Sequence, residues 1–430
     1  MGVYSGPEIT EDGLILHLDA SNARSYDPND RYENLLNYSN NYSSSPGGWT
    51  LGSTGTRAQD IVGPDGVANS AWTITDNDNT GDLVQFYKQI SITANSSTNY
   101  CISSFVKDVN GTGISPDFYV FFLGSSTKGS YINYNFSTDT ITSFASDGGG
   151  IQPTIYGRIL YPNGWVRIYF VVNDANSGSN TTLQYRIYPN GRGANTTGAM
   201  GFYGSQIEIG SNVSEYYETT GTTKTRGTTW TDLSSSGSNA LLKNNLRYNN
   251  AGRMQFDGVS DYIQFSSTTI SRNGGAFSIW FYVDDFTTFT AGKTVNSRIL
   301  IRGDDTYRKM IALYNGGYGY ENNTNSNPGE LAGRTTPPYD NSAITSGQWI
   351  NFVMSNENSQ STFYINGVFD RTLNVSDDLQ LRYIGYGAFD RTNYPDYLRG
   401  KVSNFKIYNR ALTAVEVQQN FDALRGRFGI

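Results

Sequence analysis

Residues 13–19, Gly-Leu-Ile-Leu-His-Leu-Asp, alternate with a period of two: Leu14, Leu16 and Leu18 point one way, Ile15, His17 and Asp19 the other. The pattern predicts a strand with one face in a core. The chain then turns polar through Tyr26-Asp27-Pro28-Asn29-Asp30, a run of turn formers. Strand-like runs follow at 83–92, 99–108, 117–123, 130–136, 154–160, 165–172, 182–188 and 202–209, parted by turns such as Pro162-Asn163-Gly164 and Pro189-Asn190-Gly191. Short strands spaced by turns predict a β-sandwich. The Thr/Gly-rich stretch 215–229 reads as a linker. Beyond about 228 a second β-rich block carries strand candidates at 252–257, 261–265, 276–283, 298–301, 308–314, 348–355, 361–366, 381–385 and 399–408. One helix is predicted at the end. Thr413 and Glu416 form a capping box, Val417, Phe421 and Leu424 fall at i, i+4 and i+7, and Gly426 is placed to stop it.

Composition sharpens this picture. A chain of 430 residues holds roughly two or three domains. With 32 Tyr and 22 Phe but only 16% charged residues, it suits short strands and polar turns, not long helices. The net charge of −7 lacks the basic footprint that phosphate binding needs, so nucleic acid is excluded as a partner. Cys101 stands alone, which rules out an intrachain disulfide. The opening MGVYSGPEIT has no basic or apolar region of a signal peptide, and no run approaches the ~20 apolar residues of a membrane span.

Four segments of the second block, RMQFDGVSDYIQF, AFSIWFYV, GQWINFVMSNENSQSTFYINGVFD and LRGKVSNFKIYNRALTAVEVQQNFDALRGRFGI, resemble the concanavalin A-like (laminin-G-like) jelly roll in order and spacing. The ending LTAVEVQQNFDALRGRFGI and the opening SGPEITEDGLILHLDASNARSY resemble virion structural proteins of tailed phages of marine cyanobacteria and other aquatic bacteria. In those relatives the opening strand leads directly into a W-x-D-L-S segment, which here appears only at Trp230. The resemblance therefore implies a domain inserted into a loop of the jelly roll. Within the insert, NLLNYSNNYSSSPGGWT, VGPDGVANSAW, YCISSFVKDV, NGWVRIYFVV and GFYGSQIEIGSNVSEYYETTG resemble the carbohydrate-binding-like jelly roll of phage tail and fibre proteins. The fold expected is all-β: two β-sandwich jelly rolls, the first inserted into a loop of the second, plus a short C-terminal helix. The expected segments are 1–27, the insert 28–224, and the remainder 225–430.

Glucanases of this fold carry an E-x-D-x-(x)-E strand, in which one carboxylate attacks and another donates a proton on the same face. No such run occurs. The pairs Asp284-Asp285, Asp304-Asp305 and Asp377-Asp378 would point to opposite faces and read as turn residues. His17, the sole histidine, and Cys101 sit in strands and read as structural, as do Trp49, Trp165, Trp280 and Trp349. The glycine clusters at 148–150 and 316–319 follow no strand-to-helix pattern, so no phosphate cradle is expected. The family resemblance implies a structural calcium, for which Asp232 and Asp257 are the loop candidates; ordinary turn aspartates are the alternative. After Asp232, however, the chain reads LSSSGSN where relatives carry a Gly-Asn-Gly-rich turn. Loop tyrosines Tyr318, Tyr320, Tyr339, Tyr386, Tyr394 and Tyr397 suit sugar platforms or protein contacts. The candidate carbohydrate site is Tyr383, Tyr386, Arg391, Tyr394, Asp396 and Tyr397.

The function implied is a non-enzymatic virion surface protein (fibre, tail-associated or capsid decoration subunit) with adhesion to a host-surface glycan. Its partners would be other virion proteins and further copies of itself, a trimer being the first expectation for a fibre. A free carbohydrate-binding module and a glycoside hydrolase or depolymerase are the alternatives.

Overall fold

The structure is a computed structural model and describes residues 8–52, 55–77, 85–146, 151–153, 155–192, 197–244, 246–249, 251–286, 297–303, 308–314, 317–323, 344–375, 377–386 and 397–430. The chain divides into two compact units. Unit 1 comprises the residues up to Arg31 together with Gly227–Ile430, and unit 2 is Tyr32–Arg226. Both are built of antiparallel sheets with short 3-10 turns; among the described residues one α-helix occurs, at the end of unit 1.

In unit 1 the opening strand Leu14–Asp19 pairs antiparallel with the closing strand Arg399–Tyr408, Leu18 opposite Phe405 and Asp19 opposite Asn404. The closing strand is long enough to hold two partners along one edge. Its first half takes Arg253–Asp257, its second half the opening strand, while Gly275–Val283 runs along the other edge. The sheet continues through Trp349–Glu357, Gln360–Ile365 and Val368–Asn374. A second sheet runs Thr229–Trp230, Ala240–Lys243, Tyr262–Ile270, Leu379–Ile384, Ser297–Arg302, Arg308–Tyr314, Gly317–Asn323. Alternation decides what lies between the two sheets. Leu16, Leu18, Phe277, Ile279, Phe281, Phe352, Phe405 and Ile407 from the first meet Ile263, Phe265, Leu300, Ile311, Leu379 and Leu381 from the second.

The outer face of the first sheet is also covered. Trp280, between the inward residues Ile279 and Phe281, points outward and stacks on Phe428 at 4.2 Å and Phe421 at 5.6 Å of the terminal helix Ala414–Phe428. Trp349 joins them against Phe428 at 4.7 Å. The capping box read from the sequence is present, with Thr413 as N-cap and Glu416 reaching back to it. The stop differs: the helix runs through Gly426 and ends at Gly429, whose φ of 73° closes the last turn. Phe428, anchored on Trp280, holds the final turn helical past the earlier glycine. Thr413→Ala should cost about 1 kcal/mol, because one N-terminal N–H loses its acceptor; chemical denaturation would register it.

Unit 2 is a sandwich of two six-stranded sheets. One runs Ile155–Leu160, Val166–Asn173, Asn99–Asp108, Gly198–Ile209, Ala71–Asp76, Thr56–Ile61. The other runs Thr50–Leu51, Phe86–Ser91, Thr182–Tyr188, Asp117–Leu123, Lys128–Asn135, Thr140–Ser146. Its core centres on Trp49, which stacks on Phe86 at 4.6 Å and packs with Phe202, Tyr185 and Tyr42. Cys101 lies buried in its strand. The unit's two ends are fastened to each other: Asn34 and Lys224 exchange backbone hydrogen bonds of 2.8 and 2.9 Å, and Glu33 pairs with Arg226 at 3.4 Å. Within unit 1, the Gly227 N–H donates to the Asp30 carbonyl at 2.9 Å. Each break in sequence is thus closed by short local bonds, which keeps the loop-closure cost of a long excursion modest.

Candidate functional site

On the second sheet of unit 1 the register sets Ile384 opposite both Ile263 and Ile301, all three in the core. The residues paired beside them, Gln264, Arg302 and Tyr383, face the other side of the sheet. Tyr383 lies opposite Gln264 and Arg302 on that outer face. A register shift between Gln264 and Thr268 is what re-aims it, since Leu379 and Leu381 of the same strand point inward. Tyr383 there meets Tyr386 at 4.8 Å and Tyr262 at 5.8 Å between ring centres. Tyr386 lies 4.6 Å from Tyr262 and 5.6 Å from Tyr397, the last pair edge to face. The Arg302 guanidinium stands 5.6 Å from the Tyr386 ring centre, and Arg382 stands 5.5 Å from that of Tyr383. Tyr383 is 7% exposed and backs the group, while Tyr262, Tyr386 and Tyr397 are half-buried and open to solvent.

Burial, reinforced by Tyr386, Tyr262 and Asp257 and opposed by Arg302, pushes the Tyr397 phenol up to about 12. At neutral pH it therefore keeps its proton as a donor. Tyr262, Tyr386, Tyr397 and Arg382 offer ring faces, phenol donors and a guanidinium on one surface, with Arg302, 4% exposed, buried beneath Tyr386; stacking on a sugar ring and bonding its hydroxyls need such an inventory.

Of the six residues proposed from sequence, Tyr383, Tyr386 and Tyr397 come together; Arg391, Tyr394 and Asp396 lie outside the described residues. Tyr262, Arg302 and Arg382 were missed. The signal for Tyr262 was present, since in Tyr-Ile-Gln-Phe it alternates with core Ile263 and Phe265 and must face out. Two of the loop tyrosines need correction. Tyr318 and Tyr320 belong to the strand Gly317–Asn323 and are 3% and 5% exposed, packed on Phe363. Glycine at alternate positions in Gly-Tyr-Gly-Tyr masked the strand. Tyr339 lies outside the described residues.

The residues proposed for calcium do not fit it. One Asp232 carboxylate oxygen accepts from the backbone N–H groups of His17 and Ser234, both at 2.8 Å. The other accepts from the Ser234 and Ser236 hydroxyls, both at 2.7 Å, and the Ser238 N–H at 3.1 Å. These bonds hold the carboxyl below its ordinary value against the opposing effect of burial. Asp257 likewise closes its own turn, accepting from Val259 at 2.8 Å, Ser260 at 2.9 Å and Asp261 at 3.1 Å. The serine-rich LSSSGSN segment thus supplies donors that satisfy the aspartate internally. Calcium needs six to eight oxygen ligands, and among the described residues no group of three or more His, Cys, Asp or Glu is placed to hold a metal.

The acidic pairs are equally occupied. Asp284 pairs with Lys401 at 2.6 Å, and Asp285 approaches Arg399 at 3.5 Å and Arg298 at 3.9 Å. Asp378 accepts from the Arg272 N–H at 2.8 Å, and Asp304-Asp305 lie outside the described residues. His17 is held in a polar network beneath the terminal helix. Its Nε2 lies 3.2 Å from the Asn404 amide, whose oxygen accepts from the buried Lys406 ammonium at 2.6 Å. Burial, then the Lys406 charge, pull the imidazole down to about 3 in spite of Asp19 and Asp232. The folded state therefore binds fewer protons than the unfolded chain between pH 6.5 and 3, and stability falls as pH drops through that window. Because His17 is the sole histidine, its single set of imidazole NMR signals should show no titration near pH 6.5. A midpoint above 6 would contradict this burial.

Residues 257–418 match the family model described as the Concanavalin A-like lectin/glucanases superfamily, of the laminin-G type. The matched stretch lies within unit 1, whose two facing antiparallel sheets form a jelly-roll-like sandwich. Among solved structures, the chain is similar to the binding domain of botulinum neurotoxin serotype D, at 13% identity over 44% of this chain and 48% of that one, TM-score 0.33. It is also similar to domain 4 of AbnA, an extracellular arabinanase of Geobacillus stearothermophilus, in complex with arabinotriose, at 18% identity over 45% and 92%, TM-score 0.33. A third similarity is to the Trypanosoma rangeli sialidase in complex with sialic acid, at 11% identity over 83% and 61%, TM-score 0.34. The match spans about half the length of the neurotoxin domain. No match was found among curated protein sequences. No helix among the described residues is long and apolar enough to cross a membrane.

Proposed function

We propose that this protein is a non-catalytic, glycan-binding surface protein whose unit 1 docks a saccharide on the Tyr262–Tyr383–Tyr386–Tyr397 cluster. The observation that carries the reading is the convergence of those four rings, with Arg302 and Arg382 beside them, on the outer face of a lectin-type jelly roll. Binding in place of hydrolysis is favoured because, among the described residues, Asp257 is committed to its own turn and Asp284 and Asp285 to ion pairs. The test is a glycan array probed with the full chain and with Tyr386→Ala. Tyr386→Ala should weaken binding about 10- to 100-fold, the loss of one stacking platform. Binding of equal strength by the variant would sink this site. Release of reducing sugar from a bound polysaccharide would instead return the hydrolase alternative.

The setting we propose for this adhesion is the surface of a phage virion, as a fibre, tail-associated or capsid decoration subunit. That placement rests on the resemblance of the opening and closing segments to virion structural proteins. Mass spectrometry of purified virions should find the polypeptide at stoichiometric levels. Its absence there, with glycan binding retained, would favour a free binding module.

A further inference from the structure

We infer that the strand Ile155–Leu160 of unit 2 is a self-association edge, pairing antiparallel with the same strand of a second copy about a two-fold axis. It is the last strand of its sheet, bonded on one side to Val166–Asn173; among the described residues no strand pairs with its other side. Both faces of it are open. Ile155 is 42% exposed, Tyr156 42%, Ile159 38% and Leu160 66%. Thr140–Ser146, which precedes it in the chain, is the edge of the other sheet and exposes Phe144 by 40%. One flank of the sandwich therefore carries two edge strands and five large exposed apolar side chains. A soluble protein ordinarily protects such an edge with charge, proline or a covering element. The opposite edge of the same sheet, Thr56–Ile61, does carry Arg57 and Asp60.

The sequence of the strand chooses a second copy as the occupant. In a two-fold antiparallel pair centred on Gly157, residues whose numbers sum to 314 lie opposite each other. Ile155 then meets Ile159 of the second copy, and Tyr156 meets its Arg158. Directly opposite residues share a face in an antiparallel pair, so one face becomes an isoleucine ladder and the other two tyrosine–arginine contacts. The strand's one charge is already balanced, because Arg158 is ion-paired with Asp139. Self-pairing thus brings no like charges into opposition. The central position lacks a side chain because the Tyr169 ring occupies its space; a Cβ on Gly157 would lie 2.5 Å from the Tyr169 hydroxyl. Two short strands bury on the order of 1,000 Å² or less in total, the low end for a specific contact, so the dimer should form at roughly micromolar to tens of micromolar concentration.

Sedimentation equilibrium of the full chain tests this. The mass should rise toward twice that of one chain with concentration. Ile159→Lys, an exposed substitution that leaves circular dichroism unchanged, should weaken the dimer at least tenfold. A second experiment reads the register. The double variant Ile155→Cys/Ile159→Cys should form an interchain disulfide joining position 155 to position 159, which mass spectrometry identifies, whereas Ile155→Cys alone should cross-link poorly. A chain that stays monomeric up to several hundred micromolar overturns the proposal, as does a dimer indifferent to Ile159→Lys. Cross-linking of Ile155→Cys alone as efficiently as the double variant would overturn the register and the self-complementarity on which the choice of a second copy rests.

Discussion

Trp280→Ala should lower the stability of unit 1 by about 3–5 kcal/mol, measured as a shift in denaturant midpoint followed by the far-ultraviolet signal of the terminal helix. The indole is completely buried between a strand and the helix, stacked on two phenylalanines. Truncation leaves a cavity that neither element can close, since Phe421 and Phe428 are fixed by the helix and Ile279 and Phe281 by the core on the far side. The helix depends on such tertiary contacts, because isolated helices of 15 residues are marginal in water. Val415→Ala provides the contrast. That side chain lies on the same helix but is 76% exposed, so its removal should change stability by less than about 0.5 kcal/mol. Equal effects from the two substitutions would mean that the helix is not anchored through Trp280.

Asp19→Asn should cost about 1–3 kcal/mol for an electrostatic reason, since its ion-pair partner Arg427 is 35% exposed and regains water. Asp19 is buried and takes Arg427 of the terminal helix at 2.7 and 3.0 Å. Lys406 is buried close by, and burial pulls its ammonium from an ordinary 10.5 down to about 7, with Asp19 opposing that drop and Arg427 adding to it. Removing the carboxylate leaves Arg427 without its buried counter-ion and lowers Lys406 further. The sign of the pH effect follows. The folded protein binds fewer protons than the unfolded chain between pH 7 and 10.5, so Lys406 makes stability rise with pH across that window, with a slope of up to about 1.4 kcal/mol per unit. In Asp19→Asn the window should begin at lower pH. Denaturation curves at several pH values would show this, and a flat profile would refute it. The double variant Asp19→Asn/Arg427→Gln should recover part of the loss, because it removes both charges.

The strands that could be read from the sequence were those that alternate and feed a core. Leu14–Asp19, Asn99–Asp108, Asp117–Leu123 and Arg399–Tyr408 carry period-two or continuous apolar runs, which only a buried strand explains. Those that escaped include edge strands, a glycine-diluted one, and the interior strands Ala71–Asp76 and Ala240–Lys243, too short and mixed to show a clear period. Thr56–Ile61 and Val368–Asn374 expose most of their side chains and so have no hydrophobic face to betray them. Gly317–Asn323 hides its two buried tyrosines among glycines. For the site, Tyr386 and Tyr397 were legible as tyrosines in turns. Arg302 was not, because it reaches the cluster only through the pairing of strands some 80 residues apart in sequence; Arg382 stands next to Tyr383 in the chain, but only the irregularity in its strand pairing, which no local pattern encodes, leaves both on the cluster's side. Asp232 failed as a ligand candidate for a similar reason. Sequence shows an aspartate followed by serines, but only the folded turn shows that those serines use up the carboxylate.

The central claim is that the tyrosine cluster of unit 1 is where a saccharide docks. Hydrogen–deuterium exchange of the full chain, with and without an oligosaccharide chosen from the array, tests it most directly. Protection is expected in the segments bearing Tyr262, Arg302, Tyr383–Tyr386 and Tyr397, and should vanish in Tyr386→Ala. Protection confined to unit 2, with those segments unchanged, would contradict it.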